Sequence, residues 1–381
     1  MRILHVSDCY LPRLGGIETQ VHALARQQRA AGHDVEVLTA TPRARHDLTR
    51  SEDLDGVPVR RATADLPFEL PVHPRARREI AAVVDAVPGY DAVHVHLGVV
   101  SPFAAAAMPV LVARRVPAVA TVHSVWGYAT PALRALDLLN RWARRPIAWS
   151  AVSDVAAAPL RRIGGPDLAV DVLPNGIDVA RWRVEPVERD PDDVRLVAVM
   201  RLAPRKRPLA LLRIMDRVLA QVPPRVRVSL DVAGEGPQRA AMERHLRRHG
   251  TAARVRLLGR LTADELRELY RRADVFVAPA RLESFGIAAL EARTAGLPVA
   301  GLQGTGLVHF VRPPDEGVLA ASDADLAAQL AALAGDAPRR ERIAARNRAV
   351  VPPAAWPLVL ARCDETYARA ARLAGRAPRQ P

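Results

Sequence analysis

Short apolar runs alternate along the chain with longer stretches in which apolar residues recur every three or four positions. Runs of the first kind predict buried strands, and stretches of the second kind predict amphipathic helices. Between the first two runs, Ile17, Val21 and Leu24 share one face of a helix predicted over residues 17–31, which Gly32 follows. This alternation favours a parallel sheet with helices on both faces. The predicted strands of the first half are residues 2–6, 35–39, 57–61, 92–96, 119–123 and 149–152.

The same alternation starts again after Asp178. Residues 184–193, which are acidic and contain two prolines, are typical of a linker between domains. A chain of 381 residues also suits two domains better than one. We therefore predict two doubly wound α/β domains, residues 1–180 and 184–353, and a last helix over residues 354–373. The other predicted elements of the second half are strands at 195–199, 227–233, 255–258, 275–278 and 298–301, and helices at 207–221, 237–249, 263–273 and 285–295.

Cysteine usage and apolar content exclude several classes of protein. Cys9 and Cys363 are the only cysteines and lie near opposite ends, which argues against a disulfide framework or a zinc site. The N-terminus lacks the long apolar core of a signal peptide. The most apolar stretch, residues 98–116, is interrupted by Pro102 and Pro109, so it predicts a buried helix and not a membrane span. We expect a cytoplasmic protein.

The net charge of +14 raises the question of an anionic partner, such as nucleic acid, anionic lipid or a phosphorylated ligand. Aromatic residues make up only 4% of the chain, and no helix-turn-helix or zinc-finger pattern is present, which disfavours nucleic acid. Peripheral contact with an anionic membrane, at the inner face, stays open beside an ordinary solvated surface. The candidate membrane-facing groups are Arg75, Arg77 and Arg78, and residues 141–145 beside Trp142 and Trp149.

Two motifs in loops between a strand and a helix suit the binding of phosphate. Gly15 and Gly16 follow the first strand, where glycine permits close approach of a ligand and the helix start offers N–H groups to an anion. Arg201 and Lys206 follow a strand of the second half, at the end where open α/β sheets bind ligands. Two cations there would neutralise a departing diphosphate. A plain turn and a solvated basic loop are the respective alternatives.

The segment from Glu283 to Glu291 carries the clearest chemistry. It follows the apolar strand 275–278, and the N–H groups of Gly286, Ile287 and Ala288 at the following helix start would hold phosphates. Glu291, inside the helix, is placed to accept hydrogen bonds from a ribose diol, and Glu283, in the loop, from a sugar's hydroxyls. A surface helix with two unrelated glutamates is the alternative.

A histidine at a strand end of the first half is a further candidate. His123 would bond a sugar hydroxyl or a developing charge, although a structural role is the alternative. For His94 and His96, on a similar strand end, we expect a structural role.

Taken in order, these motifs resemble the GT-B fold glycosyltransferases of family 4, the retaining group that includes sucrose synthases and bacterial mannosyl- and glucosyltransferases. The resemblance covers nearly the whole chain. The matching pieces are Gly15-Gly16-Ile17-Glu18, Thr121-Val122-His123, residues 173–178, 200–202 with Lys206, 234–236, 258–261, 273–279, 283–291 and 296–299.

The resemblance implies a GT-B architecture, with two Rossmann-like domains facing across a cleft. The first domain would bind the acceptor and the second the nucleotide-sugar donor, and helix 354–373 would cross back to the first domain. Arg201 and Lys206 would hold the donor's diphosphate, with the backbone N–H of Gly16 near its β-phosphate. Glu291 would bind the ribose, Glu283 the hydroxyls of the donor sugar, and His123 the transferred sugar.

The resemblance also implies the chemistry. A hexose would pass from GDP-mannose or a UDP-sugar to a hydroxyl of a lipid, glycan or small molecule with retention, through attack on the face that the diphosphate leaves. No Asp-x-Asp motif follows a suitable strand, so we predict an enzyme that needs neither a metal nor another cofactor. Two departures bear on the donor: residues 304–310 lack the family's Pro-Glu pair, and Arg293-Thr294 replaces small or apolar residues. A GT-B nucleotide-sugar epimerase and a basic nucleic-acid-binding protein stay open as alternatives, and the sequence does not indicate an oligomeric state.

Overall fold

The computed structural model describes residues 1–13, 15–44, 47, 49–63, 73–86 and 88–377. Contacts divide the chain into two units, Met1–Gly176 with Trp356–Pro381, and Ile177–Ala355. Each unit contains one twisted sheet of predominantly parallel strands with helices between them. The α/β class and the two Rossmann-like sheets predicted from the alternation are therefore confirmed.

The described strands of the first unit are β1 (Arg2–Ser7), β2 (Asp34–Thr39), β3 (Ser51–Leu54), β4 (Val57–Arg61), β5 (Ala92–Leu97), β6 (Ala118–Val122), β7 (Ala148–Ala151) and β8 (Val170–Val172). They join in the order β3-β4-β2-β1-β5-β6-β7-β8, and each neighbouring pair is parallel except β3 with β4. Central strands of such a sheet are covered on both faces. β5 is accordingly buried at every position, including His94 and His96.

The helices that precede the second unit are α1 (Gly16–Ala30), α2 (Ala76–Val84), α3 (Pro102–Ala113), α4 (Thr130–Asn140) and α5 (Asp154–Gly164). α3 begins at Pro102, where the ring fits the first helical turn and the missing N–H costs no hydrogen bond. It buries Phe103 and Leu111, which confirms the buried helix predicted within residues 98–116.

The strands of the second unit are β9 (Asp193–Val199), β10 (Arg227–Ala233), β11 (Val255–Gly259), β12 (Val275–Ala278), β13 (Val299–Leu302) and β14 (Gly317–Ala320). They join in the order β11-β10-β9-β12-β13-β14, all parallel. The helices are α6 (Val179–Trp182), α7 (Pro208–Leu219), α8 (Arg239–His249), α9 (Ala263–Arg271), α10 (Ile287–Thr294), α11 (Asp323–Gly335) and α12 (Ala337–Ala349). The core of this unit is aliphatic and lies between the sheet and α7, α8 and α11.

The last helix, α13 (Trp356–Leu373), belongs to the first unit. It contacts α1, β5, β6 and β7, and it buries Val359, Cys363 and Tyr367 in the core of that unit. Its polar contacts reach the middle of the sheet, because the Tyr367 hydroxyl bonds both Gln28 of α1 and His94 of β5.

Three of the strands that the structure describes were not predicted. β3 has only one apolar residue, and its pairing depends on a tight turn to β4 at Asp55 and Gly56, both with positive φ. β8 has three residues, too few to show a pattern. β14 begins at Gly317, where a Cβ would lie 2.1 Å from the carbonyl oxygen of Val299. Only glycine lets β14 approach β13 so closely.

The acidic segment 184–193, which its composition suggests is a linker, lies inside the second unit. Arg189 donates to the Asp193 carbonyl at 2.9 Å and pairs with Asp274 at 3.3 Å, and the N–H of Val187 bonds Arg271. The segment is therefore held against the second unit by specific hydrogen bonds, and the division between the two units falls earlier, between Gly176 and Ile177.

Candidate functional site

The second sheet has a switch point between β9 and β12. The chain moves outward from β9 through β10 to β11 and then returns to the other side of β9 at β12. Open parallel sheets bind ligands beyond the carboxyl ends of the strands at such a point. The loop after β9 carries Arg201 and Lys206, and the loop after β12 carries Glu283.

Two of these predicted site residues contact each other. The Nζ of Lys206 lies 2.5 Å from Oε2 of Glu283, and both side chains are only partly exposed. An ammonium has three donor hydrogens, so Lys206 can hold Glu283 and still bind an anion. The pair therefore links the cation assigned to the diphosphate with the carboxylate assigned to the sugar.

The two loops are supported by glycines. Gly234 and Gly236, after β10, both have positive φ, and a Cβ on Gly234 would lie 1.8 Å from the Met200 carbonyl oxygen. On the other side, the N–H of Gly306 bonds the Glu283 carbonyl at 2.8 Å, and a Cβ on Gly306 would lie 2.3 Å from the Ser284 carbonyl oxygen. The backbone approaches so closely at these points that no side chain fits, which fixes both site loops.

The start of α10 offers donors to an anion. Gly286 is the N-cap, with φ +97 in the left-handed region that favours glycine. Among the described residues, the N–H groups of Gly286, Ile287 and Ala288 find no hydrogen-bond acceptor. Free N–H groups and the helix dipole together attract negative charge.

Glu291 lies one turn further along α10 and is half-buried. Burial raises the pKa of its carboxyl to about 8, although the charge of Arg181 acts in the opposite direction. No side chain or N–H in the described parts of the chain donates a hydrogen bond to it. The Glu291 carboxyl therefore holds its proton more readily than an ordinary glutamate, and its oxygens are available to a ligand.

Arg201 is exposed, and within the described ranges its guanidinium makes no hydrogen bond or ion pair, so the structure does not bring it to Lys206. Its neighbour Arg207 has the structural role in this loop, which the sequence did not reveal. Arg207 has φ 60, bonds the Pro279 carbonyl at 2.8 Å and pairs bidentately with Asp323. It thereby ties the loop after β9 to the loop after β12.

Gly16 is the first residue of α1 and is exposed. The buried carboxylate of Glu18 folds back over this helix start and pairs with Arg13 at 3.5 Å. A Cβ on Gly15 would lie 2.3 Å from that carboxylate, so Gly15 is required for its position. Gly16 keeps an accessible backbone in the first unit, and its contact with a phosphate stays a prediction.

His123 follows β6 and is part of a buried polar network. Its Nε2 lies 3.0 Å from Nδ1 of His96, whose Nε2 lies 2.9 Å from Nδ1 of His5. Burial lowers the pKa of His5 and His123 to about 4, and burial with the neighbouring rings holds the pKa of His94 and His96 well below its usual value. These four rings are neutral at pH 7. The sequence indicated His123 but not His5, whose position within a buried strand shows no motif.

The proposed membrane-facing tryptophans are a wrong assignment. Trp142 and Trp149 are buried and stack edge to face with ring centres 5.3 Å apart. Trp149 donates to the Ala143 carbonyl at 2.8 Å. Large aromatic rings beside arginines resemble an interfacial belt in sequence, but here they fill the core beside β7. The arginines Arg75, Arg77, Arg78 and Arg141 are exposed. No helix in the described parts of the chain has the length and apolar content needed to span a bilayer.

Two clusters of described residues have the residue types of a metal site. They are His5, His94 and His96, and Asp216, His245 and His249. In the first, both nitrogens of each ring already form hydrogen bonds. In the second, His245 bonds Asp216 at 2.8 Å and stacks on His249 with ring centres 4.1 Å apart. Metal independence stays a prediction.

Comparisons with known proteins show the family to which the chain belongs. Residues 182–350 match the family model of the glycosyl transferases group 1, and residues 14–181 match that of Glycosyltransferase Family 4. The glycogen synthase of Mycobacterium tuberculosis is 31% identical over 98% of this chain and 95% of its own length. The D-inositol 3-phosphate glycosyltransferase 2 of Catenulispora acidiphila is 30% identical over 88% of this chain and 86% of its own length.

A solved structure shows the same fold. HepE of Anabaena, crystallised in complex with UDP, gives a TM-score of 0.73 at 19% identity, with 96% of this chain and 99% of that chain covered. The GT-B fold predicted from the resemblance is thereby confirmed, and the comparisons do not support the epimerase or the nucleic-acid-binding protein. The chain belongs to the group 1 glycosyltransferases of family 4 and is an enzyme of that class.

Proposed function

We propose that this glycosyltransferase transfers a hexose from a nucleotide-diphosphate sugar to a hydroxyl-bearing acceptor with retention of configuration. The observation that carries the proposal is the pair of Lys206 and Glu283, which lies at the switch point of the second sheet beside the loop that leads into α10. The relatives and the solved neighbour support a nucleotide-sugar donor. HepE has been crystallised with UDP and with UDP-glucose, which favours a UDP-sugar over GDP-mannose.

Each described group would have one role toward the donor. Lys206 would bind the diphosphate, with Arg201 closing over it from solvent, and the N–H groups of Gly286, Ile287 and Ala288 would take further phosphate oxygens. Glu291 would accept hydrogen bonds from the ribose diol once it loses its proton. Glu283 would accept from hydroxyls of the sugar, oriented by its bond to Lys206. From the first domain, Gly16 and His123 would contact the β-phosphate and the transferred sugar.

The chemistry would depend on charge stabilisation. The acceptor oxygen bonds to the anomeric carbon on the face from which the diphosphate leaves, the anomeric carbon–oxygen bond breaks, and the acceptor's proton passes to a phosphate oxygen. Lys206 and the start of α10 stabilise the negative charge that develops on the diphosphate. No metal enters this scheme.

A lipid acceptor, or an acceptor held at a membrane, is supported by the surface of α4. Leu136, Leu138 and Leu139 are 47%, 77% and 84% exposed, beside the exposed Arg134 and Arg141. Exposed leucines among cations suit a helix that rests on an anionic bilayer. We expect co-sedimentation with anionic vesicles at low salt, and less of it for L138S/L139S. Equal sedimentation of that variant would remove this part of the proposal.

The donor site is tested by ligand-induced thermal stabilisation and by transfer assays with UDP-glucose and GDP-mannose. Lys206→Ala should lose most of the stabilisation by UDP, whereas Arg205→Ala, an exposed cation in the same loop, should keep it. The anomeric configuration of the product, read by NMR, decides retention. A Lys206→Ala protein that binds and transfers like the wild type would exclude the site.

A further inference from the structure

We propose that a buried chain of hydrogen bonds holds His123 in one tautomer, in which Nε2 carries the proton and Nδ1 is a hydrogen-bond acceptor. In this proposal, Gln28 and Tyr367 are positioning residues for His123. The effect of this tautomer on catalysis rests on the proposed function, in which His123 contacts the transferred sugar. The chain of bonds itself lies wholly within described residues of the first unit.

One arm runs from His123 to α1. His123 Nε2 meets His96 Nδ1 at 3.0 Å, and His96 Nε2 meets His5 Nδ1 at 2.9 Å. His5 Nε2 meets the Gln28 carbonyl oxygen Oε1 at 2.7 Å. His5, His96 and Gln28 are at most 2% exposed, so water does not interrupt this arm.

The second arm runs from Gln28 to β7. The Gln28 amide nitrogen donates to the Tyr367 hydroxyl at 2.8 Å, which lies 3.0 Å from His94 Nδ1. His94 Nε2 lies 2.6 Å from the Thr121 hydroxyl, and that hydroxyl lies 2.6 Å from the hydroxyl of Ser150. Ser150 donates in turn to the Ala120 carbonyl at 3.4 Å, a group that can only accept.

A neutral imidazole has one donor and one acceptor nitrogen. A ring that donates to one neighbour must therefore accept from the other, so all the bonds in the chain run in the same direction. The amide of Gln28 sets that direction, because its oxygen only accepts and its nitrogen only donates. His5 must therefore donate from Nε2 and accept at Nδ1, which makes His96 and then His123 donate from Nε2. Turning the amide by 180° would reverse every bond, and the Ser150 hydroxyl would then lose its carbonyl partner.

The direction of the bonds also decides which nitrogen of His123 is left without a proton. In the part of the chain that the structure describes, His123 Nδ1 has no hydrogen-bond partner, and the ring borders a small cavity with His94, His96 and Thr121. A fixed acceptor there selects a hydroxyl that donates. Because the tautomer is fixed before the ligand arrives, no rearrangement cost is added on binding.

The tautomer is measured directly by long-range 1H–15N correlation of histidine side chains in the ligand-free enzyme, with His123 assigned through His123→Gln. We expect protonated Nε2 and bare Nδ1. Tyr367→Phe and Gln28→Leu should give a mixture or the opposite form. Gln28→Glu should keep the wild-type form, since a carboxyl group still accepts from His5. Thr366→Val is the folding control. Thr366 lies beside Tyr367 in α13, and its hydroxyl donates to Asp171, outside the proposed chain of hydrogen bonds.

Transfer rates complete the test. Loss of one well-oriented hydrogen bond to the sugar corresponds to a fall in kcat of about 3- to 10-fold, which we expect for Tyr367→Phe and Gln28→Leu. We expect the kcat of Gln28→Glu and Thr366→Val to stay near that of the wild type. A wild-type His123 with its proton on Nδ1, or an unchanged tautomer in Gln28→Leu, would overturn the proposal. So would full activity in a variant whose tautomer is scrambled. A transfer rate of His123→Ala equal to that of the wild type would instead refute the sugar contact in the proposed function. The NMR spectra of the wild type and the other variants would still test the tautomer.

Discussion

Lys206 and Glu283 come from loops 77 residues apart, and in the unliganded protein each is the other's partner across 2.5 Å. The donor's diphosphate would therefore meet a cation whose charge is already partly neutralised. Removing the carboxylate would leave the full positive charge of Lys206 to the phosphates. With the proposed roles, the pair would couple the affinity for the nucleotide to the position of the sugar.

Glu283→Ala should therefore separate binding from turnover. We expect it to bind UDP as tightly as the wild type or a few-fold more tightly, while transfer falls on the order of 10²-fold because contacts made in the transition state are lost. Lys206→Ala should weaken UDP binding about tenfold or more. Calorimetry and initial rates measure both, with Arg205→Ala as control. Equal losses of UDP affinity in Glu283→Ala and Lys206→Ala would show that the Glu283 carboxylate does not compete with the diphosphate for Lys206.

Local patterns in the sequence predicted the candidate site residues, because each lies in a loop that follows a strand or in the helix that this loop leads into. Lys206, Glu283 and Glu291 were placed by such local patterns, and the structure brings the first two together. The residues proposed to position His123 show no such local pattern. Gln28 and Tyr367 are 339 residues apart, and each appears in sequence as an ordinary residue on an amphipathic helix. Only the return of α13 to the first unit places them on one chain of hydrogen bonds.

Glu291 should make nucleotide binding depend on pH. Burial raises the pKa of its carboxyl to about 8, and a ribose diol prefers the ionised form, so binding should release a proton. The affinity for UDP should then rise as pH rises from 6.5 to 8, by up to about tenfold per unit, and level off above that. Titration calorimetry in buffers of different ionisation enthalpy measures the released proton. Glu291→Gln removes the titrating carboxyl, so the pH dependence that remains comes from the phosphate of UDP. An equal dependence of UDP affinity on pH in this variant and the wild type would contradict the role assigned to Glu291.

Two nearby glycines should respond differently to the same added methyl group. A Cβ on Gly306 would overlap the backbone of Ser284 and Phe285, at 2.3 and 2.5 Å, and would displace the loop that holds Glu283. Gly306→Ala should therefore cost about 2 to 3 kcal/mol of unfolding free energy and lower transfer more than donor binding. Gly304 has φ +70 and open space around it, so Gly304→Ala should cost about 1 kcal/mol from backbone strain alone. Denaturant unfolding compares them, and equal costs would show that the contact at Gly306 relaxes.

The buried histidines should make the protein sensitive to mild acid. His5 has a folded-state pKa of about 4 because burial disfavours its charged form, whereas in the unfolded chain it protonates near 6.5. Between these values the unfolded state binds the extra proton, so the free energy of unfolding falls as pH falls, by up to about 1.4 kcal/mol per unit for each such ring. Unfolding in denaturant at pH 7, 6 and 5 should show this slope, and His5→Gln should reduce it even where it lowers stability overall. If His5→Gln and the wild type lose stability in parallel, His5 is protonated in the folded protein, and the single direction of the hydrogen bonds that ends at His123 fails with it.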